Sequence, residues 1–234
     1  MLILFSILLF VMALLSGCSV LFFKFGSKAL KLILSFSGAY LFAITILRLI
    51  PEIYTNSSIQ TGIYILIGFL LQIFLEFFSE GIEHGHIHIH KNSESAFPVT
   101  MMLSLSVHSF LEGMPLAGEM NETRRSLFLG IILHNIPIAI ALMSMLLSSN
   151  ISRQKAFLWL IIFALMTPLG TMTNTFLEGN IFSSIEGFNN KIMGIVVGIF
   201  LHVSTTILFE SEEEHRFNSL RFFTILIGMA AALI

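Results

Sequence analysis

His108 and Glu112 stand four residues apart in the run His108-Ser109-Phe110-Leu111-Glu112-Gly113. On a helix they share one face, about 6 Å apart along the axis. Imidazole and carboxylate at that spacing can converge on a single cation. The pairing suits a borderline divalent ion such as Zn²⁺, with Fe²⁺ or Mn²⁺ also accommodated. A second polar cluster, Leu133-His134-Asn135-Ile136-Pro137, also lies deep in an apolar stretch. Pro137 removes a backbone donor and crowds the carbonyl one turn earlier, which frees the Leu133 carbonyl as an additional ligand. Pro115 is expected to act in the same way on Leu111. The plain reading of such groups is polar glue between helices. A third feature is Glu83-His84-Gly85-His86-Ile87-His88-Ile89-His90, which holds half of the chain's eight histidines. Alternating His84, His86, His88 and His90 read as loose metal binding, and the plain reading is a solvated loop.

The elements that must position these residues are transmembrane helices. The chain has 234 residues, is 56% hydrophobic and 11% charged, and has a mean hydropathy of +0.91; a soluble domain of this size needs far more charged surface. Apolar segments run over 2–23, 30–50, 62–82, 97–118, 126–148, 156–177, 191–210 and 219–234. Each is expected to cross a hydrocarbon core about 30 Å thick, the last only marginally, at about 1.5 Å per residue. The expected fold is all-α: a polytopic membrane protein built as an eight-transmembrane-helix bundle, one transmembrane domain over 1–234 with a His-rich loop at 83–96. Helices are required because unpaired backbone groups are not tolerated in lipid.

The basic residues give the orientation. With an even number of spans, the connections opposite the termini hold Lys24, Lys28, Lys31, Lys91, Arg153, Lys155, Arg216 and Arg221. Those on the termini side hold Arg124, Arg125 and Lys191, while Arg48 lies near the end of the second helix. The asymmetry places both termini outside, on the periplasmic face of a cell (inner) membrane, and the histidine loop in the cytoplasm. Leu15-Ser16-Gly17-Cys18 has the form of a lipoprotein cleavage site, but Met1 to Phe5 contains no Lys or Arg and the apolar run continues to Phe23. A plain first helix is therefore expected.

Other classes are excluded by what is missing from the sequence. Cys18 is the single cysteine, which excludes an internal disulfide framework and a thiolate cage. No basic run suggests nucleic acid, and no G-x-x-x-x-G-K-[ST] loop is present to bind ATP. All fourteen acids are glutamate, and there is no HExxH.

The combination resembles the ZIP (Zrt- and Irt-like protein) family of divalent-metal transporters. His108-Ser109-Phe110-Leu111-Glu112-Gly113 looks like that family's fourth-helix motif, and His134-Asn135-Ile136-Pro137 like the start of its fifth. The histidine loop follows helix three, as is usual there. Arg48-Leu49-Ile50-Pro51-Glu52 is similar to the end of the second-helix pattern. Thr167-Pro168-Leu169-Gly170 resembles the sixth-helix motif, and the segment from Gly198 to Glu210 the seventh.

The resemblance implies that His108, Glu112 and His134 ligate the transported ion, with Ser109 and Asn135 lining an adjacent position. Thr167 and Glu52 would lie along the pathway. Two positions depart from the pattern: Ile138 stands where a glutamate is usual, and Thr167 where some members carry an acid. A single-ion site follows, without a carboxylate bridge. Arg48 stands where a histidine is common and is expected to pair with Glu52 four residues later. Glu76 and Glu80 are read as structural, and Glu210, Glu212, Glu213 and Glu214 as a solvated connection. His202 is read as a helix–helix hydrogen-bond partner.

The implied function is uptake of Zn²⁺ (or Fe²⁺, Mn²⁺ or Cd²⁺) into the cytoplasm by alternating access, with the ion as substrate and no cofactor. The partners are the metal ion and the lipid bilayer, and a homodimer is compatible with the sequence. No enzyme activity is expected. The competing readings are an intramembrane zinc-dependent hydrolase and a membrane metal sensor.

Overall fold

A computed structural model of the chain describes residues 2–55, 59–79, 81–82, 99–149, 151–182, 187–209 and 218–234. Among these residues the fold is all-helical. Eight helices follow one another: α1 (Leu2–Ser19), α2 (Ser27–Tyr54), α3 (Ile59–Ser79), α4 (Val99–Gly113), α5 (Glu122–Ser148), α6 (Arg153–Ile181), α7 (Phe188–Phe209) and α8 (Ser219–Ala231).

Helices α2, α3, α5, α6 and α7 are long and apolar enough to cross a bilayer. Helices α1, α4 and α8 are shorter than the segments expected from the sequence. In α4 the cause is Pro115. It does not kink a continuing helix, as the sequence suggested. The α-helical ladder stops at Gly113, Met114–Leu116 form a 3-10 turn, and the chain leaves extended at Ala117. Pro137, in contrast, sits inside an unbroken α5. α1 ends at Ser19 although the apolar run continues, and it passes without interruption through Gly17 and Cys18. Asn121, Ser152 and Asn218 cap α5, α6 and α8, each accepting a backbone N–H with its side-chain oxygen.

The helices sort into two groups. α1, α4, α5 and α6 pack on one another, as do α2, α3, α7 and α8; α2 meets α5 and α3 meets α4 across the boundary. Glycine sets the closest approaches inside each group. A Cβ on Gly113 would strike the Thr167 carbonyl, and one on Gly170 the Phe110 carbonyl, so α4 and α6 lie backbone to backbone. Gly68 and Gly198 do the same for α3 and α7, and Gly228 for α8 against α2. Across the boundary, a Cβ on Gly130 would meet only side chains, those of Tyr40, Leu41 and Ile44. Small residues permit this approach in lipid, where dispersion and hydrogen bonding rather than exclusion of water hold helices together.

The outer surface is apolar. Ile63, Leu66, Ile67, Leu70, Ile73, Phe74 and Phe77 of α3 are exposed, as are Leu158, Leu165, Leu169 and Met172 of α6. Contiguous apolar surface of this extent requires a non-aqueous solvent. The buried polar residues are inside: His108, Ser109, Glu112, His134 and Asn135 lie within a few per cent of complete burial. The protein is a helical integral membrane protein.

Candidate metal centre

α4 carries His108 and Glu112 on one face, and α5 brings His134 against them. Each of the three side chains is fully buried, and one ligand atom from each can be chosen so that all lie within 4.8 Å of one another. Glu112 Oε1 stands 3.0 Å from His108 Nε2 and 3.9 Å from His134 Nε2. The two imidazole rings meet edge to face, with centroids 5.9 Å apart. Neither oxygen of Glu112 accepts an aligned hydrogen bond, and the same is true of Ser109 Oγ and Asn135 Oδ1. Buried oxygens without donors are costly to hold in a protein interior, and more so in mid-membrane. Two nitrogens and a carboxylate converging in this way can chelate one divalent cation.

Asn135 is oriented by α6. Its Nδ2 donates to Thr167 Oγ1 at 3.3 Å, so its acceptor Oδ1 is the atom not engaged. Thr167 therefore adjoins the ligand helices through Asn135. Ile138, where the resemblance would place a carboxylate, is fully buried in the apolar core. Glu52, at the end of α2, is not a member of the buried cluster. His84, His86, His88 and His90 lie outside the described residues, as do Glu80, Glu210, Glu212, Glu213 and Glu214.

His202 of α7 stands 3.3 Å from Glu76 Oε2 of α3, in agreement with its reading as a contact between helices. Arg48 does not pair with Glu52. It pairs with Glu122 at the start of α5, at 2.5 Å. The i, i+4 rule fails here because Thr45–Leu49 form a π-helical turn. The wider turn rotates Arg48 off the face that Glu52 occupies.

Two features escaped the sequence reading. Gln72 of α3 is fully buried, with its Oε1 2.9 Å from His108 Nδ1. Its signal was present: it is the lone amide in the middle of an otherwise apolar helix. The second is the continuation of the Thr167 position along α6 through Thr171, Asn174 and Glu178, whose spacing extends one polar helix face. Thr171 Oγ1 donates to the Gly113 carbonyl at 2.8 Å, and Asn174 Nδ2 to the Met114 carbonyl at 2.9 Å and to Asn189 Oδ1 at 3.1 Å. Asn189 Nδ2 donates in turn to Glu178.

A family model described as ZIP zinc transporter matches residues 97–234, the stretch that contains the whole centre. Protein zntD of Dictyostelium discoideum is 29% identical over 167 residues, covering 64% of this chain and 24% of that protein. Zinc transporter ZIP9 of Micropogonias undulatus is 29% identical over 157 residues, covering 62% and 49%. Zinc transporter ZIP9-B of Xenopus laevis is 28% identical over 165 residues, covering 65% and 52%. The match thus spans about half the length of the ZIP9 relatives and about a quarter of zntD.

Proposed function

The chain belongs to the ZIP zinc transporter family, and on that premise we propose that it carries a divalent metal ion, Zn²⁺ first, across the membrane into the cytoplasm through a site made by His108, Glu112 and His134. The observation that carries this reading is the fully buried cluster of two imidazoles and a carboxylate, with Glu112 Oε1 3.0 Å from His108 Nε2 and 3.9 Å from His134 Nε2. The donor set is borderline-soft, which suits Zn²⁺ and also accepts Fe²⁺, Mn²⁺ or Cd²⁺. Ser109 Oγ and Asn135 Oδ1 add weaker oxygens beside it. With Ile138 and Thr167 supplying no carboxylate, the site holds one ion.

Transport proceeds by alternating access. The three ligands stand on α4 and α5, both in the group formed with α1 and α6. Movement of that group against the other would expose the ion first to one side and then to the other. All eight helices cross the bilayer, with α1, α4 and α8 as the short spans, and both termini face outward.

The test is metal uptake by proteoliposomes, with Zn²⁺, Fe²⁺, Mn²⁺ and Cd²⁺ compared. We expect flux from the unmodified protein and its loss in His108→Ala, Glu112→Ala and His134→Ala, since few strong donors remain once one is removed. Unchanged flux in the two histidine variants would reject the site. Binding without flux would favour a sensor or a hydrolase. Outside-in thiol labelling of a single cysteine at position 122, with one at position 92 protected, checks the orientation.

A further inference from the structure

The ligand group does not complete its own geometry. His108 Nδ1 lies 2.9 Å from the side chain of Gln72, and Gln72 stands on α3, in the other helix group. We infer that Gln72 is a positioning residue for the cation site: its Oε1 accepts the Nδ1 proton of His108 across the boundary between the groups and thereby fixes Nε2 as the lone pair offered to the ion. The inference rests on the reading of His108 as a ligand and extends it to a residue and a helix outside the ligand set.

A neutral imidazole has one N–H and one lone pair, and the partner of one nitrogen decides which chemistry the other offers. Glu112 Oε1 is 3.0 Å from His108 Nε2, so Nε2 is the nitrogen that faces the ligand cluster. It can donate electrons to a cation only if the proton sits on Nδ1. A carbonyl oxygen opposite Nδ1 enforces that tautomer, whereas an amide NH₂ in the same place would drive the proton to Nε2 and close the site. The orientation of one buried amide thus decides whether His108 can bind.

The surroundings of Gln72 support a role beyond packing. The buried positions of α3 are Gly68, Gln72, Leu75 and Ser79, along the face turned to its neighbours. Packing alone would be served there by Leu or Met. Instead an amide is enclosed at complete burial, and its Nε2 has no hydrogen-bond partner among the described residues. A polar group kept at such cost is explained by what its other end does. The bond also spans the boundary between the two groups, so it exists only in the arrangement that brings α3 against α4. The affinity of the site is therefore tied to the relative position of the groups, high while Gln72 holds His108 and lower once they part.

The experiment uses the full chain in detergent and in proteoliposomes. Gln72→Met keeps volume and removes the acceptor, Gln72→Glu keeps an acceptor, and His108→Ala is the reference. We expect Gln72→Met to weaken Zn²⁺ binding about ten- to a hundredfold. Its half-saturating concentration for uptake should rise by a similar factor, while Gln72→Glu keeps tight binding. Nitrogen NMR of histidine-labelled, Zn²⁺-loaded unmodified protein should show His108 protonated on Nδ1 and bound to the ion through Nε2, and that measurement needs no variant to fold. Zn²⁺ affinity in Gln72→Met equal to that of the unmodified protein, with His108→Ala inactive, overturns the role of Gln72 and leaves the site intact. Zn²⁺ bound to His108 through Nδ1 in the unmodified protein also overturns it. If His108→Ala binds as tightly as the unmodified protein, the site reading fails and the inference falls with it.

Discussion

Glu112 is enclosed by two imidazoles, yet neither of its oxygens accepts an aligned hydrogen bond. A carboxylate kept in this condition is a liability for folding and an asset for binding, and the two can be separated by one atom. Glu112→Gln removes the charge while conserving shape. We expect the metal-free variant to melt at or above the temperature of the unmodified protein in detergent, because a neutral amide costs less to bury than a carboxylate. The same variant should lose the thermal shift that Zn²⁺ gives the unmodified protein, since a bound ligand stabilises only the state that binds it. A metal-free Glu112→Gln that melts far below the unmodified protein would show that the carboxylate is satisfied and structural. His108, Glu112 and His134 were legible in the sequence because ionisable residues in apolar helices are rare and costly, and three of them demanded an explanation. The partner of Arg48 was not legible, because the helical spacing rule assumes 3.6 residues per turn and the π turn at Thr45–Leu49 breaks that assumption.

Helix type was read correctly from composition, but helix ends were not, and α4 shows why. The apolar segment over 97–118 does not record that Pro115 lacks the N–H the ladder needs, so the last turn tightens into Met114–Leu116. That ending has a use. It presents the Gly113 and Met114 carbonyls to α6, where Thr171 donates to the first and Asn174 joins the Ala117 N–H on the second. α6 can reach them because Gly113 and Gly170 have no side chains between the two backbones. Gly170→Val should therefore force α4 from α6, at a cost of about 1–3 kcal/mol typical of overpacking, and displace Glu112 from His134. We expect a lower melting temperature together with loss of Zn²⁺ binding. Gly179→Ala, where a Cβ would meet nothing within 4 Å, should change neither. Equal behaviour of the two variants would mean that the close approach of α4 and α6 does not hold the centre together.

At the scale of the whole molecule, the division into two helix groups accounts for the arrangement of its polar contacts. His108, Glu112 and His134 lie in one group, and among the described residues specific bonds cross to the other: His108 to Gln72, Ser104 to the Leu75 carbonyl at 2.5 Å, Tyr40 to the Ser126 carbonyl at 3.3 Å, Asn189 of α7 to Asn174 and Glu178 of α6, and Arg48 to Glu122. Arg48 and Glu122 connect α2 to the first turn of α5. Glu122 is 82% exposed, so the pair contributes little to stability, roughly 0–1 kcal/mol, and can be replaced without disturbing the core. That makes it a place to fasten the groups together. In a Cys18→Ala background, Arg48→Cys with Glu122→Cys, joined by a bifunctional thiol reagent, should stop Zn²⁺ uptake into proteoliposomes while leaving Zn²⁺ binding in detergent unchanged. Cleaving the link should restore uptake, and the unlinked double variant should transport near the unmodified rate. The reasoning is that the link keeps α4, α5 and Gln72 of α3 in the arrangement that binds, whereas release on the far side needs one group to travel past the other. Full uptake by completely linked protein would mean that the ion passes without relative movement at the α2–α5 boundary, and the two groups would then be packing units rather than moving bodies.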